Sequence, residues 1–244
     1  MKALIFAAGL GTRLYPLTID KPKALVEIAG KTLLQMAIEK VSHAGYNDIV
    51  INIHHFGDQI IQFLERNNNF GLTITISDER DQLLDTGGGI LKAAQWLDSE
   101  EPFLVYNVDV LSNIDLQLFR QYHIENGGLA TLVVRDRNTA RYLAFDDTMQ
   151  LSGWKNIKTG EEIASRNMQD CSLLAFSGIQ LIEPAIFKLI IETGSFPLIP
   201  LYLRLAADAR IMGYHDHSSL WMDLGKPDQI KEAERIILKK IKEY

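Results

Sequence analysis

From Lys2 to Tyr106 short apolar runs alternate with stretches of helical period, and this rhythm constrains the fold more than any other feature of the chain. Lys2 to Ala7, Asp48 to Ile53, Leu72 to Ser77 and Pro102 to Tyr106 read as buried strands. Between them, Thr32 can cap a helix whose apolar positions Leu33, Leu34, Ala37, Ile38 and Val41 recur at helical spacing until Gly45. Phe56 to Arg66 and Ile90 to Leu97 read as further helices. Alternation of this kind predicts a Rossmann-like α/β fold with a mixed, mainly parallel sheet flanked by helices. Right-handed crossovers place ligand sites beyond the carboxyl ends of such strands, where the loops after Ala7 and Tyr106 emerge. After Asp115 the pattern changes. Leu129 to Arg135, Tyr142 to Phe145 and Leu173 to Ile182 read as strands separated by turn residues, which suggests a smaller antiparallel lobe. Helices at Pro184 to Glu192 and Ile199 to Ala207 follow, then a hairpin of Arg210 to His215 with Leu220 to Leu224, then an amphipathic helix from Pro227. The expectation is one domain, 1–244, in two lobes divided near residue 115 (about 1–115 and 116–244), with a cleft between them.

Composition narrows the function class. At 244 residues and 47% hydrophobic content the chain can bury a sizeable core. Its single cysteine, Cys171, cannot form an internal disulfide and has no cationic neighbour in sequence, so a buried thiol is expected. No basic region followed by a cleavable apolar stretch is visible, and no apolar run approaches the ~18 residues of a membrane span. A cytoplasmic protein without membrane contact is therefore expected. The net charge of −6 leaves no general footprint for nucleic acid. The first 31 residues nevertheless form a basic island, Lys2, Arg13, Lys21, Lys23 and Lys31 outweighing Asp20 and Glu27. Coincidence of that island with a glycine-rich loop points to a small anionic ligand.

The loop is Ala7-Ala8-Gly9-Leu10-Gly11-Thr12-Arg13, directly after the first strand. Its two glycines let backbone amides approach an anion, Arg13 can fork onto phosphate oxygens, and Lys23 after Pro22 supplies a point charge. A dinucleotide fingerprint is disfavoured because Leu14 stands where its third glycine belongs. Gly30-Lys31-Thr32 resembles the end of a Walker A motif, but Leu25 occupies its first glycine position.

Two acids complete the pattern. Asp109, in Asn107-Val108-Asp109-Val110, follows an apolar strand, and Asp223 lies in Trp221-Met222-Asp223-Leu224-Gly225. Each alone reads as a turn or capping residue; together with the glycine loop they suit Mg²⁺, which prefers oxygen ligands and retains water. Thr86-Gly87-Gly88-Gly89 offers a backbone surface for a base or ribose. His215-Asp216-His217 has no further cysteine or histidine nearby in sequence, so a zinc cluster with Asp223 is disfavoured. His54 and His55 receive no role.

Lys2 to Leu14, Lys21 to Ala29, Asp85 to Ile90, Asn107 to Val110, Phe176 to Ile179 and Trp221 to Pro227 resemble the sugar-1-phosphate nucleotidylyltransferases, and the resemblance spans the chain. Within that family it is most similar to the short, single-domain N-acetylmuramate-1-phosphate uridylyltransferases of peptidoglycan recycling (cell wall recycling). The resemblance implies a nucleoside triphosphate and a sugar 1-phosphate as partners. It implies that Ala8, Gly9, Gly11 and Thr12 hold the nucleotide phosphates, that Arg13 neutralises departing pyrophosphate and that Lys23 bridges phosphates. Thr86, Gly87 and Gly88 would face base and ribose, and Asn107, Ser177, Gly178 and Ile179 the sugar, with Asp109 and Asp223 holding Mg²⁺. Val108, Tyr15, Asp85 and Ala24 depart from the family's common residues without removing a catalytic group. Alternatives are a guanylyl- or cytidylyltransferase acting on a mannose-type sugar, another sugar or choline phosphate, and a non-catalytic module that binds a nucleotide sugar. A monomer or small homo-oligomer is expected.

Overall fold

In a computed structural model of the chain, residues 1–242 are described. Along the chain lie β1 (Lys2–Phe6), β2 (Glu27–Ile28), β3 (Lys31–Thr32), α1 (Leu33–His43), β4 (Asp48–Ile53), α2 (Gly57–Arg66) and β5 (Thr73–Asp78). Next come α3 (Asp85–Leu97), β6 (Phe103–Asn107), β7 (Val110–Ser112), α4 (Leu116–Asn126), β8 (Ala130–Arg135), β9 (Arg141–Phe145) and β10 (Leu151–Asn156). The chain continues through β11 (Glu162–Ala164), β12 (Ser172–Ile182), α5 (Leu198–Leu205), β13 (Ile211–His215), β14 (Trp221–Asp223) and α6 (Pro227–Lys242). These elements form two compact units, each discontinuous in sequence. The first takes Met1–Leu83, Tyr106–Asn113 and the chain from Leu220; the second takes Leu84–Val105 and Ile114–Ser219.

The first unit is built on parallel strands. β4 pairs with β1 on one side and β5 on the other, Leu4 opposite Val50 and Val50 opposite Thr75. Ala3, Leu4, Ile5, Ile49 and Ile51 are fully buried, as the unbroken apolar runs of a sheet covered on both faces require. Helix α1 forms where expected: Thr32 Oγ1 accepts the Gln35 amide at 3.1 Å, and Leu33, Leu34, Ala37, Ile38 and Val41 make its buried stripe. β14 returns antiparallel to β7, which places the second acidic stretch beside the first.

The second unit is mostly antiparallel, in the order β11-β10-β9-β12-β8, with β13 parallel to β8 at the edge. The mixed sheet flanked by helices is thus present, its parallel core in the first unit. Three expectations from the sequence are corrected. α3 starts at Asp85 rather than Ile90, because Thr86 to Gly89 are already helical and packed. The helix expected over Pro184 to Glu192 is only a short 3₁₀ stretch, Pro184–Lys188, and Ile191 beyond it is 77% exposed. β13 and β14 are not a hairpin: each finds another partner, β8 and β7 respectively. A further helix, α4, is capped by Asp115, whose Oδ1 accepts the Gln117 and Leu118 amides at 2.9 and 3.0 Å. Among the described residues no helix is long and apolar enough to cross a membrane.

Candidate active site

The glycine loop begins where β1 leaves the sheet. Its first two amides, of Ala7 and Ala8, donate to Asn52 Oδ1 at 2.7 and 3.2 Å. Asn52 is a buried polar residue in an otherwise apolar strand, and its amide nitrogen donates to Glu79 Oε1 at 2.8 Å. The buried Glu79 carboxylate therefore fixes which way the Asn52 amide faces, and Asn52 fixes the chain as it enters the loop. His54, given no role from sequence, has Nδ1 2.6 Å from the Glu79 carbonyl oxygen. The amides of Gly9, Leu10 and Gly11 find no acceptor among the described residues, while Gly9, Leu10, Thr12 and Arg13 are exposed. Successive unsatisfied amides of this kind form an anion-binding concavity. Gly11 sits at φ 68°, where a side chain is strained, and a Cβ there would press against Thr18 at 3.0 Å and Lys23 at 3.1 Å. Thr18 Oγ1 donates to the Gly11 carbonyl at 2.9 Å and closes the loop's far side.

Lys23 opens a short 3₁₀ turn, Lys23–Leu25, between buried Pro22 and Ala24. That anchoring holds the backbone while the side chain reaches inward to pair with Asp109 Oδ2, leaving both side chains largely buried. Asp109 lies in the turn joining β6 to β7. Buried Tyr106 stitches that turn by donating its hydroxyl to the Val110 carbonyl at 2.9 Å. Burial, and after it the charge of Asp109, push the Tyr106 phenol well above its ordinary value, so it stays a donor. Asp223 stands opposite Val110 on the β14–β7 ladder, and the Leu224 amide donates to the Asp109 carbonyl at 2.8 Å. The two acids, remote in sequence, are neighbours on one ladder. Asp223 Oδ1 accepts the Gly225 amide at 2.9 Å, and Oδ2 lies 3.9 Å from Arg13 Nη1. All four charged residues belong to the first unit. Asp109 and Asp223 offer only oxygen donors and are partly open to solvent, the donor chemistry that suits a hard divalent cation such as Mg²⁺.

In the second unit Thr86, Gly87 and Gly88, expected to face base and ribose, are hydrogen-bonded to the segment around Phe196. The Gly87 and Gly88 amides donate to the Phe196 carbonyl at 2.9 and 3.2 Å, and Thr86 Oγ1 accepts the Leu198 amide at 2.9 Å. Ser177 and Ile179 are buried within β12, whose register against β8 shifts between Phe176 and Gln180 around Gly178. Asn107, at the end of β6, is half-buried in the first unit. Lys155 pairs with Glu162 across β10 and β11. Cys171 is half-buried rather than buried. A cleft of about 480 Å³ that the sequence did not signal is lined by Arg137, Arg141, Tyr142, Trp154 and Phe176, combining guanidinium groups with aromatic faces. Nothing in spacing along the chain links these residues, since they come from separate strands and loops.

Comparison with known proteins places this geometry among relatives. A model of the nucleotidyl transferase family matches residues 2–147. The chain is 36% identical to the N-acetylmuramate alpha-1-phosphate uridylyltransferase of Caulobacter vibrioides, the match covering 95% of both chains. It is 29% identical to the probable mannose-1-phosphate guanylyltransferase 2 of Oryza sativa subsp. japonica, covering 98% of this chain and 65% of that protein. Its fold is that of UDP-glucose pyrophosphorylase, solved in complex with UDP-glucose, at a TM-score of 0.78 and 22% identity over 98% of each chain.

Proposed function

The chain belongs to the nucleotidyl transferase family and is a sugar-1-phosphate nucleotidylyltransferase; from that premise we propose that it joins UTP to N-acetylmuramate 1-phosphate, giving the nucleotide sugar and pyrophosphate. Support for this substrate pair is the 36% identity to the Caulobacter uridylyltransferase at matching length, against 29% and a much longer chain for the rice guanylyltransferase. The single observation that carries the mechanism is the set of unsatisfied amides at Gly9 to Gly11 beside the Arg13–Asp223 and Lys23–Asp109 pairs.

A sugar phosphate oxygen attacks the α-phosphorus in line, and pyrophosphate leaves. The attacking oxygen is already anionic near neutral pH, so the task is to hold two polyanions together while charge moves to the leaving group. In this proposal the amides of Gly9 and Gly11, with Ala8 and Thr12 on either side, cradle the triphosphate. Arg13 neutralises the leaving pyrophosphate, and Lys23 exchanges part of its contact with Asp109 for a phosphate oxygen. Asp109 and Asp223 would hold Mg²⁺, which supplies further charge stabilisation when bound. Thr86, Gly87 and Gly88 also hold the backbone near residues 196–198.

The test is pyrophosphate release from each nucleoside triphosphate with a panel of phosphorylated acceptors. Fastest release with UTP and N-acetylmuramate 1-phosphate is expected. A preference for GTP with mannose 1-phosphate, or for CTP with choline phosphate, would replace the substrate assignment, and tight nucleotide binding with no release from any pair would indicate a regulatory binding module.

A further inference from the structure

At the end of β13 stand three polar residues in a row, His215, the last of the strand, then Asp216 and His217. The middle one is buried: Asp216 accepts the Ser219 amide at 3.1 Å and the Ser219 hydroxyl, and lies 3.6 Å from Arg135 Nη2. Arg135 also donates to the Ser219 carbonyl at 2.8 Å, so the turn after the strand is tied down from within. His215 and His217, one on each side of Asp216, are more exposed and bring their rings together. β8 runs parallel beside β13 with Val134 opposite His215, and Asp136 follows just past the end of β8.

The outcome is a cluster that only the fold creates. His215 Nε2 lies 2.8 Å from Asp136 Oδ2 and His217 Nδ1 lies 4.0 Å from the same atom, with one ligand atom from each residue within 4.8 Å of the others. The two imidazole rings are 3.7 Å apart between centroids. Metal–ligand bonds of about 2.0 to 2.2 Å separate neighbouring ligand atoms by roughly 3.0 to 3.5 Å, so small side-chain rotations would close all three onto one ion.

We propose that Asp136, His215 and His217 form a binding site for a borderline divalent transition cation, with Zn²⁺ as the representative ion. Two imidazoles and one carboxylate select against Mg²⁺ and Ca²⁺, which take oxygen ligands, and three protein ligands leave a position open to water or an exogenous anion. The site differs from the Asp109–Asp223 pair in donor chemistry and lies in the other unit. A bound ion cross-links the carboxyl ends of β8 and β13, and the buried Asp216–Arg135 pair holds the intervening backbone so that the histidines need little reorganisation.

The experiment is a Zn²⁺ titration of the full chain by calorimetry in excess Mg²⁺, with Co²⁺ absorption as a readout of nitrogen ligation and melting temperature as a readout of the cross-link. Wild type is expected to bind one equivalent, to show Co²⁺ ligand-field bands and to melt higher with Zn²⁺. His217→Ala, at an exposed position, and Asp136→Asn should each weaken binding by about tenfold or more and lose the Zn²⁺-dependent rise in melting temperature, while Mg²⁺-supported turnover is unchanged. Wild type that binds no Zn²⁺ in excess Mg²⁺, or binding of equal affinity in wild type and both variants, would overturn the proposal.

Discussion

Two glycine-rich stretches of this chain look alike as sequence and do opposite things as structure. Around Gly9 and Gly11 the backbone leaves a strand with its amides unsatisfied, Gly9 has nothing within 4 Å of where a Cβ would stand, and Gly11 needs its positive φ. At Gly87 and Gly88 the backbone is helical, the amides are committed to Phe196, and added Cβ atoms would collide with Phe196 and the Gly194 carbonyl. One loop uses glycine to expose donors; the other uses it to bring a helix against a neighbouring segment. A run of glycines therefore reports close backbone approach, and only the fate of its amides says whether a ligand or the protein itself is approached.

Substitutions that separate these two uses test the difference. The largest effect is expected at the charges beside the first loop. Asp109→Asn or Arg13→Ala should lose about a hundredfold or more in turnover, the scale of one well-placed electrostatic group, measured as pyrophosphate release from protein with an unchanged circular dichroism spectrum. Full activity in folded Asp109→Asn would remove that residue from the mechanism. Next in size, Gly87→Ala should destabilise by about 1 to 3 kcal/mol through overpacking, read as a melting temperature several degrees lower. Gly9→Ala should leave the melting temperature within about a degree of wild type and raise the KM for nucleotide. If those two outcomes were exchanged, the contrast drawn between the loops would be wrong.

What could be read along the chain and what could not follows the same division. Asp48 to Ile53 and the stripe from Leu33 to Val41 were legible because burial there is set by local periodicity. The glycine loop with Arg13 and Lys23, and the acids Asp109 and Asp223, were legible as motifs, and the ladder between β7 and β14 brings those acids together. Asn52 and Glu79 were missed, although an asparagine inside Asp48–Ile53 is the kind of signal that marks a buried polar role in an apolar strand. Asp136 could not be joined to His215 and His217 by spacing, since the register of two parallel strands makes the cluster. The start of α3 was misplaced because glycine lowers helix propensity, and here contact with residues 194–198 overrides it.

Asn52 offers the sharper test of how the first loop is held. Asn52→Ala removes the acceptor of two amides and the donor to a buried carboxylate, which should cost about 1 to 3 kcal/mol of stability. If it also positions the loop, KM for nucleotide should rise by more than kcat falls; unchanged KM in a merely less stable protein would reduce it to a packing residue.

The smallest expected effect lies at a buried histidine of the second unit. His123 is buried, with Nδ1 2.7 Å from Thr131 Oγ1 and Nε2 3.1 Å from Glu183 Oε1. Burial lowers its pKa below the ordinary 6.5, and this outweighs the opposing pull of Glu183. The unfolded chain then binds the proton more readily than the folded one, so this contribution to stability is present above about pH 6.5 and is lost as the pH falls below it. His123→Gln should lower the melting temperature slightly at pH 7.5 and flatten its decline between pH 7 and 5. A decline as steep as in wild type would show that other groups set the acid limb.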